Sequence, residues 1–356
     1  MLAHWHTRPA LLILLASTYA SAAQTPSKLS GDDTNHPSGP PAYRSTVSEI
    51  RVAFFATGEN NRAVATLTKS DFAVVDNEVV VRNFRSFMHS DETALDVVAL
   101  VDLSESAAPR LRAAMSDVLE LIAREQSIAD DNFAVLSFGG ASGGTNGGAV
   151  GGMGGALGST SASIRPAVLC AGGCGASDPV GRLLAVKSGG ATPLFDALIF
   201  GSDFIAHRRR AGVRPVVILF SDGDDTVSQH SARDALRAAL EGGAPVYSVD
   251  MGESRDQASP QTSGSAFLRQ VSEATGGRYF SLSQPLSQSQ TQRVSQQNGA
   301  ATVLNAVLDD LRASYVVTYA LPNHRAGFHS LRLMPTHNLN LIFHSRSGYY
   351  YEPGEH

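Results

Sequence analysis

The sequence predicts an α/β fold: a doubly wound, mostly parallel sheet with helices on both faces, and beside it a small all-β domain formed by the N- and C-terminal flanks. Three observations carry this expectation. Near-continuous apolar runs recur between residues 96 and 281, the pattern of strands buried on both faces. Segments whose apolar residues fall three and four apart lie between those runs. Short β-branched and aromatic runs without helical period fill residues 45–90 and 314–356.

The first strand, Asp96 to Val101, delivers the polar pentad Asp102-Leu103-Ser104-Glu105-Ser106. A helix is expected from Ala107 to Glu125, where Leu111, Met115, Val118, Leu119 and Ile122 share one face. Further strands are expected at Asp131 to Phe138, Val216 to Phe220, Pro245 to Val249 and Arg278 to Ser281. The second of these ends at Ser221-Asp222. Helices fit at Pro193 to His207, at Ser231 to Leu240 closed by Gly242-Gly243, and at Ser265 to Thr275 closed by Gly276-Gly277. A last helix, Ala300 to Arg312, carries Val303, Leu304, Val307, Leu308 and Leu311 on one face. Such alternation implies parallel strands with crossover helices.

The flanks read as strands at Val47 to Phe55, Phe72 to Val75 and Val79 to Phe87, with Asp76-Asn77-Glu78 as a tight turn. Tyr315 to Tyr319, Ser330 to Met334, Leu339 to His344 and Ser347 to Tyr351 continue the pattern at the other end. Neither flank is long enough to close a core alone. The two are therefore expected to pair, with residues 94–313 inserted between them.

Residues 1–22 have the form of a secretion signal: Arg8, the apolar run Leu11 to Ala16, and small residues at Ala20-Ser21-Ala22 or Ser21-Ala22-Ala23. The apolar run is too short to span a bilayer. Residues 23–44, rich in Pro, Ser, Asp and Gly, read as a disordered leader. The mature chain is expected to be exported, to the periplasm or beyond. A formal net charge of −5 argues against nucleic acid or acidic membrane as the main partner. Arg208-Arg209-Arg210 is the one basic cluster, read as the solvated end of a helix.

Other segments carry weaker signals. Gly139 to Ser159 is dominated by glycine and reads as a loop. Within it Gly140-Ala141-Ser142-Gly143-Gly144 matches the G-x-S-x-G hydrolase elbow, a pattern that arises easily in glycine-rich sequence and lacks the following helix. Residues 283–298, rich in Ser and Gln, read as a linker. The only two cysteines, Cys170 and Cys174, are expected to form a local disulfide that pins a loop. His324, His329, His337 and His344 match no zinc spacing.

The pentad is the most informative stretch. Asp102, Ser104 and Ser106 place three short oxygen side chains at alternate positions after a buried strand, which suits a hard divalent cation. The plainer use of Ser104 and Ser106 is to cap the helix that follows. The pentad resembles the metal-ion-dependent adhesion site of von Willebrand factor type A (VWA) domains, whose first motif is D-x-S-x-S. That family adds a threonine on a second loop and an aspartate on a third, for which Thr192 and Asp222 are the candidates. The leading β segment, central domain and terminal Arg346-Ser347-Gly348-Tyr349-Tyr350 strand also resemble bacterial exported VWFA-related proteins. Glu105 and Ala107 depart from the glycine and methionine often found beside the serines.

The resemblance implies a cation held directly by Ser104 and Ser106, by Thr192 directly or through water, and by Asp102 and Asp222 largely through water. Mg²⁺ is the first choice, with Mn²⁺ or Ca²⁺ as alternatives. It also implies a protein partner that supplies an Asp or Glu carboxylate, and binding rather than catalysis. Two other classes stay open: an exported hydrolase using Ser142 or histidine-bound zinc, and a structural envelope protein with a degenerate metal site.

Overall fold

The computed structural model describes residues 48–90, 93–107, 111, 132–139, 166–172, 190–252, 263–282 and 299–353. The signal and leader segments, nearly all of the helix expected from Ala107 to Glu125, the glycine-rich loop beyond Gly139, Cys174 and the linker lie outside these residues. Val47–His356 forms one compact unit.

At its centre is a six-stranded sheet of β5 (Ala94–Asp102), β6 (Phe133–Phe138), β7 (Ala167–Ala171), β8 (Val213–Ser221), β9 (Val246–Asp250) and β10 (Tyr279–Ser281), in the order β10-β9-β8-β5-β6-β7. All its pairs are parallel except β6 with β7. Both faces are covered. Val98, Leu100, Val217 and Leu219 meet α1 (Leu194–His207), α2 (Ala232–Gly242) and α3 (Ser263–Thr275) on one side. Val97, Ala99, Val101, Ile218 and Phe220 meet α4 (Gly299–Arg312) on the other. This two-sided burial is the physical reason that the strands read as unbroken apolar runs.

The helix ends follow local chemistry. Ser231 caps α2 in a reciprocal box with Asp234, and Gly243 ends the helix with φ +64. The arginine triplet follows the end of α1 as expected, with Arg209 and Arg210 exposed and Arg208 half-buried. Arg208 lies across the buried carboxylate of Asp96 with three contacts of 3.1 to 3.3 Å. Arg209 donates to the carbonyl of Gly242 and Arg210 to Asn132. The solvated helix end thus also makes contacts to the start of β5, to the end of α2 and to the residue before β6.

The flanks pair with each other. β1 (Glu49–Thr57) lies between β11 (Tyr315–Ala320) and β13 (Ile342–Ser345), with β4 (Ser86–His89) beyond β11. A second sheet orders β14 (Gly348–Tyr351), β12 (Gly327–Pro335), β2 (Phe72–Asp76) and β3 (Val79–Val81). The β2–β3 turn uses Asn77 and Glu78, both at positive φ, as two-residue hairpins require. The run from Val79 to Phe87, read as one strand, divides: β3 stays in the second sheet and β4 crosses to the first. Phe54 fills the space between the sheets, 4.9 Å from Phe72 and 5.9 Å from Tyr315 by ring centroid. The buried Asp76 accepts the hydroxyls of Tyr319 (2.8 Å) and Tyr349 (2.7 Å), one from each sheet.

The neighbouring residue on β1, Phe55, faces the opposite way and joins the α/β core. Its ring lies parallel to His344 at 4.5 Å and 6.5 Å from Tyr247. His344 also shares a 3.0 Å hydrogen bond with Thr57. Arg278 extends the seam, 3.0 Å from Asp310 on α4 and 3.0 Å from the carbonyl of Asn61.

Burial, aided by the Arg278 charge, pushes the His344 pKa down to about 4. The unfolded chain therefore takes up a proton near pH 6.5 that the folded chain refuses until about pH 4, and this group makes stability rise with pH across that window. Asp102 and Asp310, pushed up by burial to about 6 and about 7, act with the opposite sign. Subtracting the urea-unfolding free energy of His344→Gln from that of wild type isolates the histidine. The difference should grow by about 2–3 kcal/mol between pH 4 and 7; a pH-independent difference would refute the assignment.

Candidate functional site

The sheet order reverses direction between β5 and β8: the chain leaves β5 toward β6 on one side, and β8 toward β9 on the other. In open α/β sheets the crevice beyond the carboxyl ends at such a point is where ligands bind. Asp102 ends β5 and Ser221 ends β8, with Asp222 directly after it. Two of the three predicted loops thus emerge side by side because their strands are neighbours.

Asp102 is fully buried and ties these loops together. Its Oδ1 accepts the backbone N–H of Ser104 at 2.9 Å, and its Oδ2 accepts the Ser221 hydroxyl at 2.7 Å. Ser221 Oγ in turn accepts the N–H of Gly223 at 3.0 Å, which turns the chain around Asp222. The Ser104 and Ser106 hydroxyls lie 3.2 Å apart, Ser104 buried and Ser106 exposed. Asp222 is half-buried and accepts the N–H of Asp224, while Glu105 is exposed beside the serines.

Thr192 is buried at the entry to α1. Its N–H donates to Thr226 Oγ1 at 2.7 Å, and its carbonyl accepts the N–H of Thr226 at 2.9 Å. Thr226 belongs to the loop that begins at Asp222, so the threonine loop is fastened to the aspartate loop. The five predicted residues therefore fall into two linked sets: Asp102, Ser104 and Ser106 bridged by Ser221 to Asp222, and Thr192 bridged by Thr226 to the same segment. Asp224 and Asp225, read as a solvated acidic loop, differ from each other: Asp224 is exposed, and Asp225 is half-buried and accepts hydrogen bonds.

The donor set fits a hard divalent cation. It consists of hydroxyl and carboxylate oxygens, and burial raises the Asp102 pKa to about 6, with the charge of Asp222 adding to it and the Ser221 and Ser104 hydrogen bonds opposing. The backbone leaves little clearance behind the carboxylate. Gly139, at φ +77, comes so close that a Cβ there would stand 2.9 Å from Asp102 Oδ1 and 3.1 Å from Ser104 N. Asp250, at the end of the adjoining β9, faces Ser221 in register but is occupied otherwise. It accepts Gly252 N–H, Ser265 Oγ and Tyr279 Oη at 2.5 to 2.7 Å, which holds the next loop.

Ser221, Thr226 and Gly139 are not singled out as site residues by sequence pattern. Only Ser221 has a local signal, a hydroxyl at the end of an apolar run. Cys170 lies on the edge strand β7, opposite Val135, and not in a loop. The terminal histidines have separate surroundings: His329 on Asp76 and the Arg325 carbonyl, His337 on the Ser70 carbonyl, His324 beside Tyr351, and His344 on Phe55 and Thr57. Among the described residues, no three His, Cys, Asp or Glu side chains gather to hold a metal, so a cation at the ends of β5 and β8 would depend on hydroxyls.

No family model and no curated protein matches the chain. Among solved structures it is similar to proximal thread matrix protein 1 from the mussel byssus, at 14% identity over 62% of this chain and 49% of that one, with a TM-score of 0.39. It is similar to the manganese-loaded TRAP protein of Plasmodium vivax, at 16% identity over 77% of this chain and 97% of that one, TM-score 0.39. The pilus adhesin SpaC of Lactobacillus rhamnosus GG matches at 13% identity over 83% of this chain and 42% of that one, TM-score 0.41. The chain thus spans about half the length of the mussel protein it matches. Similarities this distant say nothing of partner, metal or activity. The fold class expected from the sequence, a doubly wound, mostly parallel α/β sheet with helices on both faces, stands on the sheet order itself.

Ser221→Ala should be costly in the absence of any ligand. It leaves Asp102 Oδ2 and the Gly223 N–H without their shared partner in a buried place, and a loss of about 2–3 kcal/mol is expected in urea unfolding. A change below about 0.5 kcal/mol would mean that the bridge is not formed in solution.

Proposed function

We propose that this chain is an exported, non-enzymatic binding and adhesion module that takes a carboxylate of a protein partner through a divalent cation. The observation that carries the reading is the Asp102–Ser221 bridge, which sets the serine pair beside the Asp222 loop at the switch point of the sheet. Ser104, Ser106 and Thr192 would hold the cation, with Asp102 and Asp222 behind them. When bound, the cation would supply a positive centre with an open position for an outside oxygen ligand. Asp102 holds the Ser104 backbone and is itself buried, so its part is to fix the first loop rather than to meet the partner.

Mg²⁺ is the first choice of cation, with Mn²⁺ or Ca²⁺ as alternatives. Export rests on the signal-like residues 1–22. Among the described residues no helix is long and apolar enough to cross a membrane. The pairing of Cys170 with Cys174 belongs to the same proposal, as does the division into an inserted domain, 94–313, and a β domain made by the flanks.

Calorimetric titration of Mg²⁺ and Mn²⁺ into the metal-stripped chain tests this reading. One saturable site is expected, lost in Asp102→Ala and in Ser104→Ala. Retained binding in both variants, or none in wild type, would sink it.

A further inference from the structure

Helix α1 begins where its own sequence cannot cap it. The first turn of a helix leaves backbone N–H groups without acceptors, which an N-cap Ser, Thr, Asp or Asn ordinarily serves. The N-cap here is Pro193, which makes no side-chain capping bond. The oxygens come instead from the loop after β8. Phe195 N–H donates to Asp225 Oδ1 at 3.2 Å, and Asp196 N–H donates to Ser228 Oγ at 3.1 Å. Ser228 Oγ donates in turn to Asp225 Oδ1 at 2.5 Å.

The strap is reciprocal. The Asp196 carboxylate accepts the N–H groups of Gln229 (3.0 Å) and His230 (3.1 Å), and His230 Nδ1 lies 2.8 Å away. The bonds nearest the site are the two between Thr192 and Thr226. Residues 225–230 thus cap α1 from outside, and Thr226 is the point at which that cap reaches Thr192.

We propose that Thr226 is a positioning residue for the cation site, fixing Thr192 relative to Asp222 through its hydroxyl without being a ligand. The inference rests on the cation-binding reading above. The Thr192 N–H sits on a buried residue, and without the Thr226 oxygen it must move to find another acceptor. Displacing it displaces the candidate ligand on the same residue. Thr226 itself is exposed, so the hydroxyl can be removed with little change in packing.

The test compares Thr226→Val, which keeps the shape and the backbone bond but loses the oxygen, with Thr226→Ser, which keeps the oxygen. Mn²⁺ affinity would be read by calorimetry and by the room-temperature spin-resonance signal of free Mn²⁺, alongside thermal unfolding of the metal-free chains. Thr226→Val should bind Mn²⁺ at least about tenfold more weakly, the range seen when a partner behind a metal ligand is lost. Thr226→Ser should bind within about twofold of wild type, since the conservative change restores the acceptor; its metal-free unfolding temperature should match wild type, while that of Thr226→Val should fall because a buried N–H loses its acceptor. Equal affinity in wild type and Thr226→Val would overturn the positioning role and leave the cation site standing. Equally weak binding in Thr226→Ser and Thr226→Val would overturn it too, because the hydroxyl would not be the cause. No Mn²⁺ binding by wild type would overturn the cation reading and this inference with it.

Discussion

The hydrogen bond from Ser221 to Asp102 joins the ends of two strands that the chain leaves in opposite directions. Without it, the serine loop and the Asp222 loop would be neighbours by topology but free to diverge. The bond is possible because β5 and β8 run parallel in register from Ala94–Val213 to Val101–Phe220. That register is in turn set by burial on both faces, where a slip of one residue would exchange every side chain between the two cores. Core packing therefore decides where the polar ends of the strands lie.

The antiparallel sheets extend this core rather than standing apart from it. β1 presents Phe54 to the space between the two sheets and Phe55 to the parallel-sheet core, so one strand serves both. The Arg278–Asp310 pair lies in the same seam with its side chains almost wholly buried. Breaking such a pair by removing one member leaves an uncompensated charge, which is why buried pairs resist piecemeal change even where they add little net stability. Phe55, His344, Tyr247 and Arg278 together make the joint a packed interior, consistent with a single compact unit over Val47–His356.

The sequence made legible what depends on local pattern. Two-sided burial wrote β5, β8 and β9 as apolar runs, and positive-φ glycines marked the ends of α2 and α3 at Gly243 and Gly276. Asp102 and Asp222 stand directly where apolar runs end, whereas Thr192 is a candidate only through the resemblance of the pentad to the VWA motif. What escaped depends on contacts far apart in the chain. β7 is a short Ala-Val-Leu-Cys-Ala edge strand, half-exposed and antiparallel, and it lacks the burial that gives the other strands their signature. Residues 79–87 carry one uniform texture, yet their two ends answer to different sheets. The arginine triplet is a solvated helix end as its sequence suggests, but its bonds to Asp96, Asn132 and Gly242 were not legible because those partners lie far from it in sequence.

The external capping of α1 belongs to that second kind of information, and it bears on how a three-loop site can be rigid. Loops that must be ordered at the moment of binding lose conformational freedom then, and affinity falls accordingly. Here the first loop is tied to β8 through Asp102, and the second is tied to the third through Thr192 and Thr226. Both ties end on residues flanking Asp222. The ordering cost is thus met on folding, by bonds among groups buried or half-buried in the protein, while Ser106, Glu105 and the half-buried Asp222 remain at the surface. A site held in this way can present a few oxygens in a fixed arrangement without a dedicated pocket.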